Sequence, residues 1–435
     1  MQFTDMRSTL LFIYFLLLAS AGFAQSKFDA FTQQFVSGYS ALRIAELQLG
    51  YADNFKLIKS ADSIRLQANF FKDAQNQLGK FNYNKLSETQ QQDYQLIKYE
   101  SAINLERLGL EKNISQAFLK NTTLVGLYSM PDGKQWYAYF LKRWLSDTAT
   151  PDQIYAFGLK EVEDVEQHIK NIQQQSGLSE DAFYKHLNDS TFFINNPATV
   201  QQAFERDEQV IMNRMDNLFT NRTIPKLSIK RSTNKMLMQA PGYYDDNTFY
   251  YTLFDKPYNK RQVDWLFMHE AIPGHHYQLS IADATQSSQV QKLFNYPGFA
   301  EGWGAYTESL GKDLGLYQTM YDELGRWEWD IVRSVRVPMD IGINYYGWTD
   351  DQALAFWKKH IRNQDDIAMR EIKRVRRWPV QAITYKYGAA QILKWKAELQ
   401  KQQGQKFDIK DFHNRILSHG SLPLFLVKEN VNKKG

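Results

Sequence analysis

The sequence predicts a mainly α-helical protein, one large helical domain with a small β-sheet near its middle. Three observations carry this expectation. Helix-start signals recur along the chain, apolar residues follow them at helical spacing, and strand signals are confined to one short region. At 435 residues the chain can bury a substantial core, and 43% hydrophobic with 23% charged residues excludes disorder throughout. A net charge of +4, evenly spread, gives no reason to expect a nucleic-acid partner.

The N-terminus reads as an export leader. Arg7 precedes the apolar run Leu10 to Ala21, and Gly22 and Ala24 then supply small residues, so cleavage is expected after Ala24. The run is short for a membrane-spanning helix of about 20 residues. This divides the chain into a leader, 1–24, and a single domain, 25–435, exported to the periplasm or beyond the cell. With no cysteine, the chain is expected to fold without disulfides and to lack an acylated N-terminal cysteine. No later stretch is apolar enough to cross a bilayer, so no membrane partner is expected after cleavage.

Within the domain, "LSETQQQDYQLIKYESAINLERL" (86–108) opens with a capping box, Ser87 with Gln90, and continues with Leu96, Ile97 and Ile103 at helical spacing. The next such device is Thr150 as N-cap, Pro151 in the first helical position and Gln153 three residues after the cap. Another helix is expected from a Thr349 cap to Ile361. The best strand is "NTFYYTLF" (247–254), aromatic and β-branched, preceded by the turn-like "APGYYDD". It is read either as an internal strand or as a sheet edge, and at an edge Tyr250 and Tyr251 would hold an extended peptide.

The stretch "HEAIPGHHYQ" (269–278) concentrates three of the eight histidines in eight residues. Two histidines four apart on a helix share one face and can reach one metal ion. His269 and His275 are six apart and fall on different faces of a straight helix, while His269 and His276 share a face but lie about 10 Å apart along the axis. Pro273 cannot donate to the preceding turn and Gly274 tolerates unusual backbone angles. Together they can bulge two residues out and return His275 to the face of His269. His275 is therefore preferred as the second ligand, with His276 as the alternative.

Zinc needs a third protein ligand, and Glu301, at the start of the helix in "NYPGFAEGWGAYTESLG", has room to return alongside. Glu308, two turns further on, is expected to support a ligand. Glu270 is the expected general base for a metal-activated water. A donor for the developing oxyanion is sought in "ITYKYG", in Tyr385, with Lys386 beside it a candidate to bind substrate. In the basic run "REIKRVRR", Arg374 is a candidate to bind a substrate carboxylate. Arg336 and Asp340 are read as an ion pair bracing the site or as a wall of the cleft, and His168, His186, His360, His413 and His419 as surface residues.

"HEAIPGHHYQ" followed by "GFAEGWGAYTE" resembles the bacterial family called domain of unknown function 885. The resemblance extends to "PDGKQWYAYFLKRW", "YYDDNTFYYTLF", "SVRVPMDIGINYYGWTDDQA" and "RRWPVQAITYKYGAAQI", and so runs from about Leu86 to near the C-terminus. It implies a mostly helical, zincin-like metallopeptidase fold, with His269, His275 and Glu301 as zinc ligands and Glu270 as base. The chain more distantly resembles the oligopeptidases and the angiotensin-converting-enzyme type. Asn344 and Val380 stand where the family usually has His and Gly, which bears on substrate preference. The expected activity is zinc-dependent hydrolysis of short peptides. The alternatives are a non-catalytic peptide- or ligand-binding protein that keeps the fold, and a metal-dependent hydrolase of non-peptide esters or amides.

Overall fold

The computed structural model describes residues 27–44, 55, 57–114, 126–237, 240–254, 257–285, 287–362 and 364–433. The leader expected over 1–24 lies outside the described residues. The chain is mainly helical with small sheets. Where the sequence leads one to expect one domain over 25–435, the chain divides into two compact units, residues 1–122 with 287–295, and residues 123–286 with 296–435. Each has its own apolar core, and no change of composition marks the boundary, so the sequence carries no sign of it.

In the first unit a helix over 27–42 (α1) joins an antiparallel-type helical pair, α2 (Ala61–Leu78) and α3 (Glu88–Glu111). The capping box of Ser87 and Gln90 forms as expected at the start of α3. Ile64, Ala68, Phe71 and Leu108 form the buried centre, and Tyr39 meets Phe71 and Phe294 edge-on. The 287–295 segment is held by Ser288, whose hydroxyl donates to Asp93.

The second unit carries the candidate site. Its main helices are α4 (Gly133–Leu145), α5 (Pro151–Gln175), α6 (Pro197–Met212), α7 (Val263–Glu270), α8 (His275–Ala284), α9 (Pro297–Thr307), α10 (Met320–Ile341), α11 (Asp350–His360), α12 (Asp365–Arg377) and α13 (Ile383–Gln403). The boxes predicted at Thr150 and Thr349 cap α5 and α11. Helix α10 lies along α5, and its Leu324, Ile331, Val332, Val335 and Met339 share a core with Val162, Val165 and Ile172. Helix α9 packs on α13, and they touch at Gly302 and Gly388, where a Cβ on Gly302 would come within 2.5 Å of the Gly388 Cα. That close crossing brings α13 alongside the helix that carries Glu301.

The sheet differs from expectation in a way that matters for binding. Strands β1 (Ser228–Arg231), β2 (Gly242–Asp245) and β3 (Thr248–Tyr251) are ordered β1-β3-β2, with β3 parallel to β1 and antiparallel to β2. The turn-like "GYYD" is thus itself a strand. Asp246 and Asn247 both take positive φ, 38° and 56°, the two-residue turn that suits the twist of a tight hairpin. Strand β3 is consequently internal, and its backbone groups are used by both neighbours. Tyr251 is buried against Phe204, and Tyr250 stacks on Tyr243 across the hairpin. Neither is placed to hold a substrate strand, which corrects that part of the sequence reading.

Replacing Thr150 by Ala removes the side-chain acceptor for the Gln153 N–H at the head of α5. The expected loss is about 1 kcal/mol, seen as a lower urea midpoint with an unchanged slope.

Candidate metal centre

The helix carrying His269 does break where Pro273 and Gly274 stand. The Ala271 N–H closes α7 on the Phe267 carbonyl, and the Gln278 N–H opens the next helix on the Gly274 carbonyl. Gly274 is needed here for space, because a Cβ would lie 1.9 Å from the His269 carbonyl oxygen. The carbonyl of Pro273, left without a helical partner, accepts from the indole N–H of Trp303 at 2.9 Å. Helix α9 therefore completes the break as well as facing it.

The consequence is that His269, His275 and Glu301 converge. Glu301 Oε2 lies 3.6 Å from His269 Nε2 and 3.5 Å from His275 Nε2, and one donor atom from each of the three falls within 4.8 Å of the others. The two imidazoles meet almost at right angles, 88°, with centres 4.9 Å apart. Bonds of about 2.0–2.2 Å around a tetrahedral ion put neighbouring donors roughly 3.3–3.6 Å apart. The two measured separations fit that edge, and two imidazoles with one carboxylate form a zinc-type donor set. His269 is nearly enclosed at 4% side-chain exposure, whereas His275 and Glu301 keep 16% and 24%, so the triad meets solvent through those two.

His276 goes elsewhere. Its ring is buried, Nε2 donates to the Pro225 carbonyl at 3.0 Å, and Nδ1 faces the Tyr244 hydroxyl at 3.2 Å. Both nitrogens are occupied in tying α8 to the sheet, and burial pushes its pKa down, which keeps it neutral. Of the two candidates for second ligand, the structure brings His275 to the cluster.

The far side of His269 is equally specific. Nδ1 donates to Glu308 Oε1 at 2.8 Å, and Arg333 holds the other oxygen of Glu308 at 2.7 Å. This fixes Nδ1 as the donor to Glu308, so that Nε2, once it gives up its proton, is the nitrogen left to bind a metal beside Glu301, the arrangement by which a carboxylate orients a metal-binding histidine. Gly304 lets α9 pass the ring, since a Cβ there would approach His269 Cε1 to 2.8 Å. Thr307 adds a bond from its hydroxyl to the Met268 carbonyl at 2.9 Å. Arg333 was missed in the sequence. Its signal was an arginine one turn before Arg336 within the apolar stretch Ile331–Ile341, which is otherwise charged only at Asp340.

Charge follows this geometry. Burial alone would depress the His269 imidazolium, but its bonds to Glu301 and Glu308 outweigh that and lift its pKa to about 9. Burial would raise Glu301 and Glu308, yet the two histidines hold Glu301 well below the usual carboxylate range, and Arg333 with His269 does the same for Glu308. Glu270 is half-buried beside His269 and makes no hydrogen bond or ion pair among the described residues.

Tyr385 packs beside His269, its ring roughly parallel to that of the imidazole with centres 6.0 Å apart. Its hydroxyl oxygen accepts from Arg374 Nη2 and from Gln381 Nε2, each at 3.3 Å. With the oxygen so engaged, its own proton is free to be donated. Burial and the nearby Glu301 raise its pKa, so the phenol stays protonated.

Other expectations are corrected. Lys386 is buried between Asp330 at 2.7 Å and Glu161 at 3.0 Å, and so braces α13 against α10 and α5 instead of reaching substrate. Arg336 pairs with Glu371 at 2.6 Å and not with Asp340. Asp340 instead accepts from Tyr137, the Val380 N–H and Asn344, and burial raises its pKa to about 7. Val380 has φ of 73°, a left-handed angle costly for a β-branched residue, at the position where the sequence resemblance leads one to expect Gly. These two departures therefore bear on a buried carboxylate network. His413 is buried, bonded to Tyr306 and the Leu218 carbonyl, and burial pushes its pKa down to about 3. A cavity of about 580 Å³ beside the stacked rings of Trp265 and Trp329 is lined by none of the three donors.

Two outcomes are expected. His275→Ala abolishes stoichiometric zinc uptake and His276→Ala preserves it, measured by metal analysis of the dialysed proteins. Zinc must displace the His269 proton, so uptake near pH 7 releases protons and affinity rises with pH up to about 9. Calorimetry in buffers of different ionisation enthalpy reads that release directly. In the metal-free protein the sign is reversed for folding: the raised pKa stabilises the fold below pH 6.5 and that contribution is lost as pH climbs through about 9.

Comparison with known proteins gives a family and a fold. No curated protein matches the sequence. A structure described as a "putative lipoprotein" from Colwellia psychrerythraea is 23% identical, with a TM-score of 0.66, covering 85% of this chain and 68% of that one. Another, described as a "putative lipoprotein of unknown function" from Shewanella oneidensis, is 18% identical, with a TM-score of 0.60, covering 88% and 73%. At these identities the likeness shows the fold alone. The family model described as bacterial protein of unknown function, DUF885, matches residues 110–431, and the chain belongs to that family.

Proposed function

We propose that this chain is an exported, zinc-dependent hydrolase of the zincin-like type that cleaves peptide bonds in short peptides. The observation that carries the reading is the convergence of His269, His275 and Glu301, with Glu301 Oε2 within 3.6 Å of both imidazole Nε2 atoms, and with a Glu270 carboxylate beside His269 that makes no hydrogen bond or ion pair among the described residues. A zinc ion held by these donors would polarise a carbonyl and lower the pKa of a water toward about 7. The remaining steps fall to the chain's own groups. Glu270 takes the proton of the attacking water and returns it to the leaving amine nitrogen, so that one water and one amide give a carboxylic acid and an amine. Tyr385 donates its free proton in a hydrogen bond to the oxygen that gains charge as the carbonyl carbon becomes tetrahedral. Glu308 and Arg333 hold His269 still while this happens, and contribute positioning only.

The N-terminal leader supports export, and no helix among the described residues is long and apolar enough to cross a membrane. An intact base beside an intact donor set favours catalysis over simple binding, since binding alone makes no use of Glu270.

Glu270→Gln is expected to keep one zinc per chain and to lose peptide hydrolysis by about 100-fold or more, the usual scale for a proton-transfer group. The check is metal analysis beside peptide-library mass spectrometry on both proteins. A zinc-replete wild type that cleaves no peptide in a broad library would sink the proposal.

A further inference from the structure

Arg374 is anomalous by its surroundings. It is half-buried, and unlike its neighbours it has no carboxylate partner among the described residues. The one carboxylate on its helix face, Glu371, is already taken by Arg336 at 2.6 Å and by Arg370 at 3.1 Å. Three guanidiniums thus share one anion. Arg374 uses a single nitrogen, Nη2, to reach Gln381 Oε1 at 3.0 Å and the Tyr385 hydroxyl at 3.3 Å, and its buried Nε has no partner. A guanidinium removed from water with no carboxylate in direct contact, only the charges of a shared Glu371 and of Glu301 nearby, is costly, and its planar fork suits a carboxylate.

The place of this surplus charge narrows what would neutralise it. Arg374 is one side chain removed from the triad: its guanidinium sits 5.8 Å from the Tyr385 ring centre, and that ring lies against His269. In a peptide the α-carboxylate of the last residue lies one residue, about 3.8 Å of chain, beyond the carbonyl that is attacked. If Tyr385 faces the reacting oxygen, Arg374 behind it is within reach of that carboxylate.

We infer that Arg374 anchors the free C-terminal carboxylate of the substrate, so that the site removes residues from the C-terminal end of short peptides. This rests on the peptidase reading above and adds to it a polarity and a substrate class. The anchor acts chiefly on binding, so its loss raises KM more than it lowers kcat. Pulling Nη2 toward a ligand also perturbs the bond to Tyr385, which couples occupancy of the anchor to the oxyanion donor.

The test uses the zinc-loaded full chain and N-acetylated tetrapeptides in matched pairs, free acid and C-terminal amide, followed by mass spectrometry. The acid is expected to shorten stepwise from its C-terminus, with kcat/KM about 100-fold or more above that of the amide. Arg374→Gln should keep its zinc and melting temperature and bring the acid down to the level of the amide, mainly through KM. Cleavage of acid and amide at similar rates would overturn the inference while leaving the peptidase reading intact. If neither is cleaved, the peptidase reading fails, and binding decides the anchor separately. Calorimetry of N-acetyl-alanyl-phenylalanine and its amide with metal-free protein should then show tighter binding of the acid to wild type and no difference in Arg374→Gln. Equal affinity of both ligands for the wild type overturns it.

Discussion

The centre of the second unit depends on one buried imidazole with a carboxylate at each nitrogen. A ring as enclosed as His269 cannot leave a nitrogen unpartnered without a desolvation cost, so both sides must be supplied by protein. Glu308 supplies one and Glu301 the other. Both come from a single stretch, and with Gly304 they stand at positions i, i+3 and i+7, one face of a helix. The same stretch contributes Trp303 to the Pro273 carbonyl and Thr307 to the Met268 carbonyl. The segment 301–308 is thus a mould for the broken helix opposite, and removing any of its contacts would loosen the ring that the others hold.

Around this lies a shell of charge arranged for orientation more than for stability. Buried ion pairs gain little net free energy, because desolvation offsets their attraction. Their use here is geometric. Arg333 pins Glu308, which pins His269, while Lys386 between Asp330 and Glu161 fixes the rotation of α13 and so the direction of Tyr385. On the other side of Tyr385 the balance is broken in favour of cations at Arg336, Arg370 and Arg374. The site therefore joins an acidic pole suited to a metal with a basic pole suited to a carboxylate.

Much of the candidate site was legible in the sequence because its chemistry is local. The Pro273–Gly274 pair announced a helix break, and counting residues across it favoured His275 over His276 and pointed to Glu301. The helix starts at Ser87, Thr150 and Thr349 were legible for the same reason, each cap being satisfied within four residues. The errors share an opposite character. Whether "NTFYYTLF" is an edge or an internal strand depends on a partner about 20 residues upstream. Which carboxylate pairs with Arg336, and whether Lys386 faces solvent or Asp330, depends on helices brought together from 35 and 56 residues away.

What the sequence determined by itself was the candidate cluster around His269, Glu270 and Glu301 and the helical character of the chain, because each follows from spacing along one backbone. What only the tertiary structure decided was which of two adjacent histidines turns inward. A histidine follows whatever partners its nitrogens can find, and for His276 those are Tyr244 and the Pro225 carbonyl, 32 and 51 residues away. With that ring claimed by the sheet, His275 alone of the pair is left to meet Glu301.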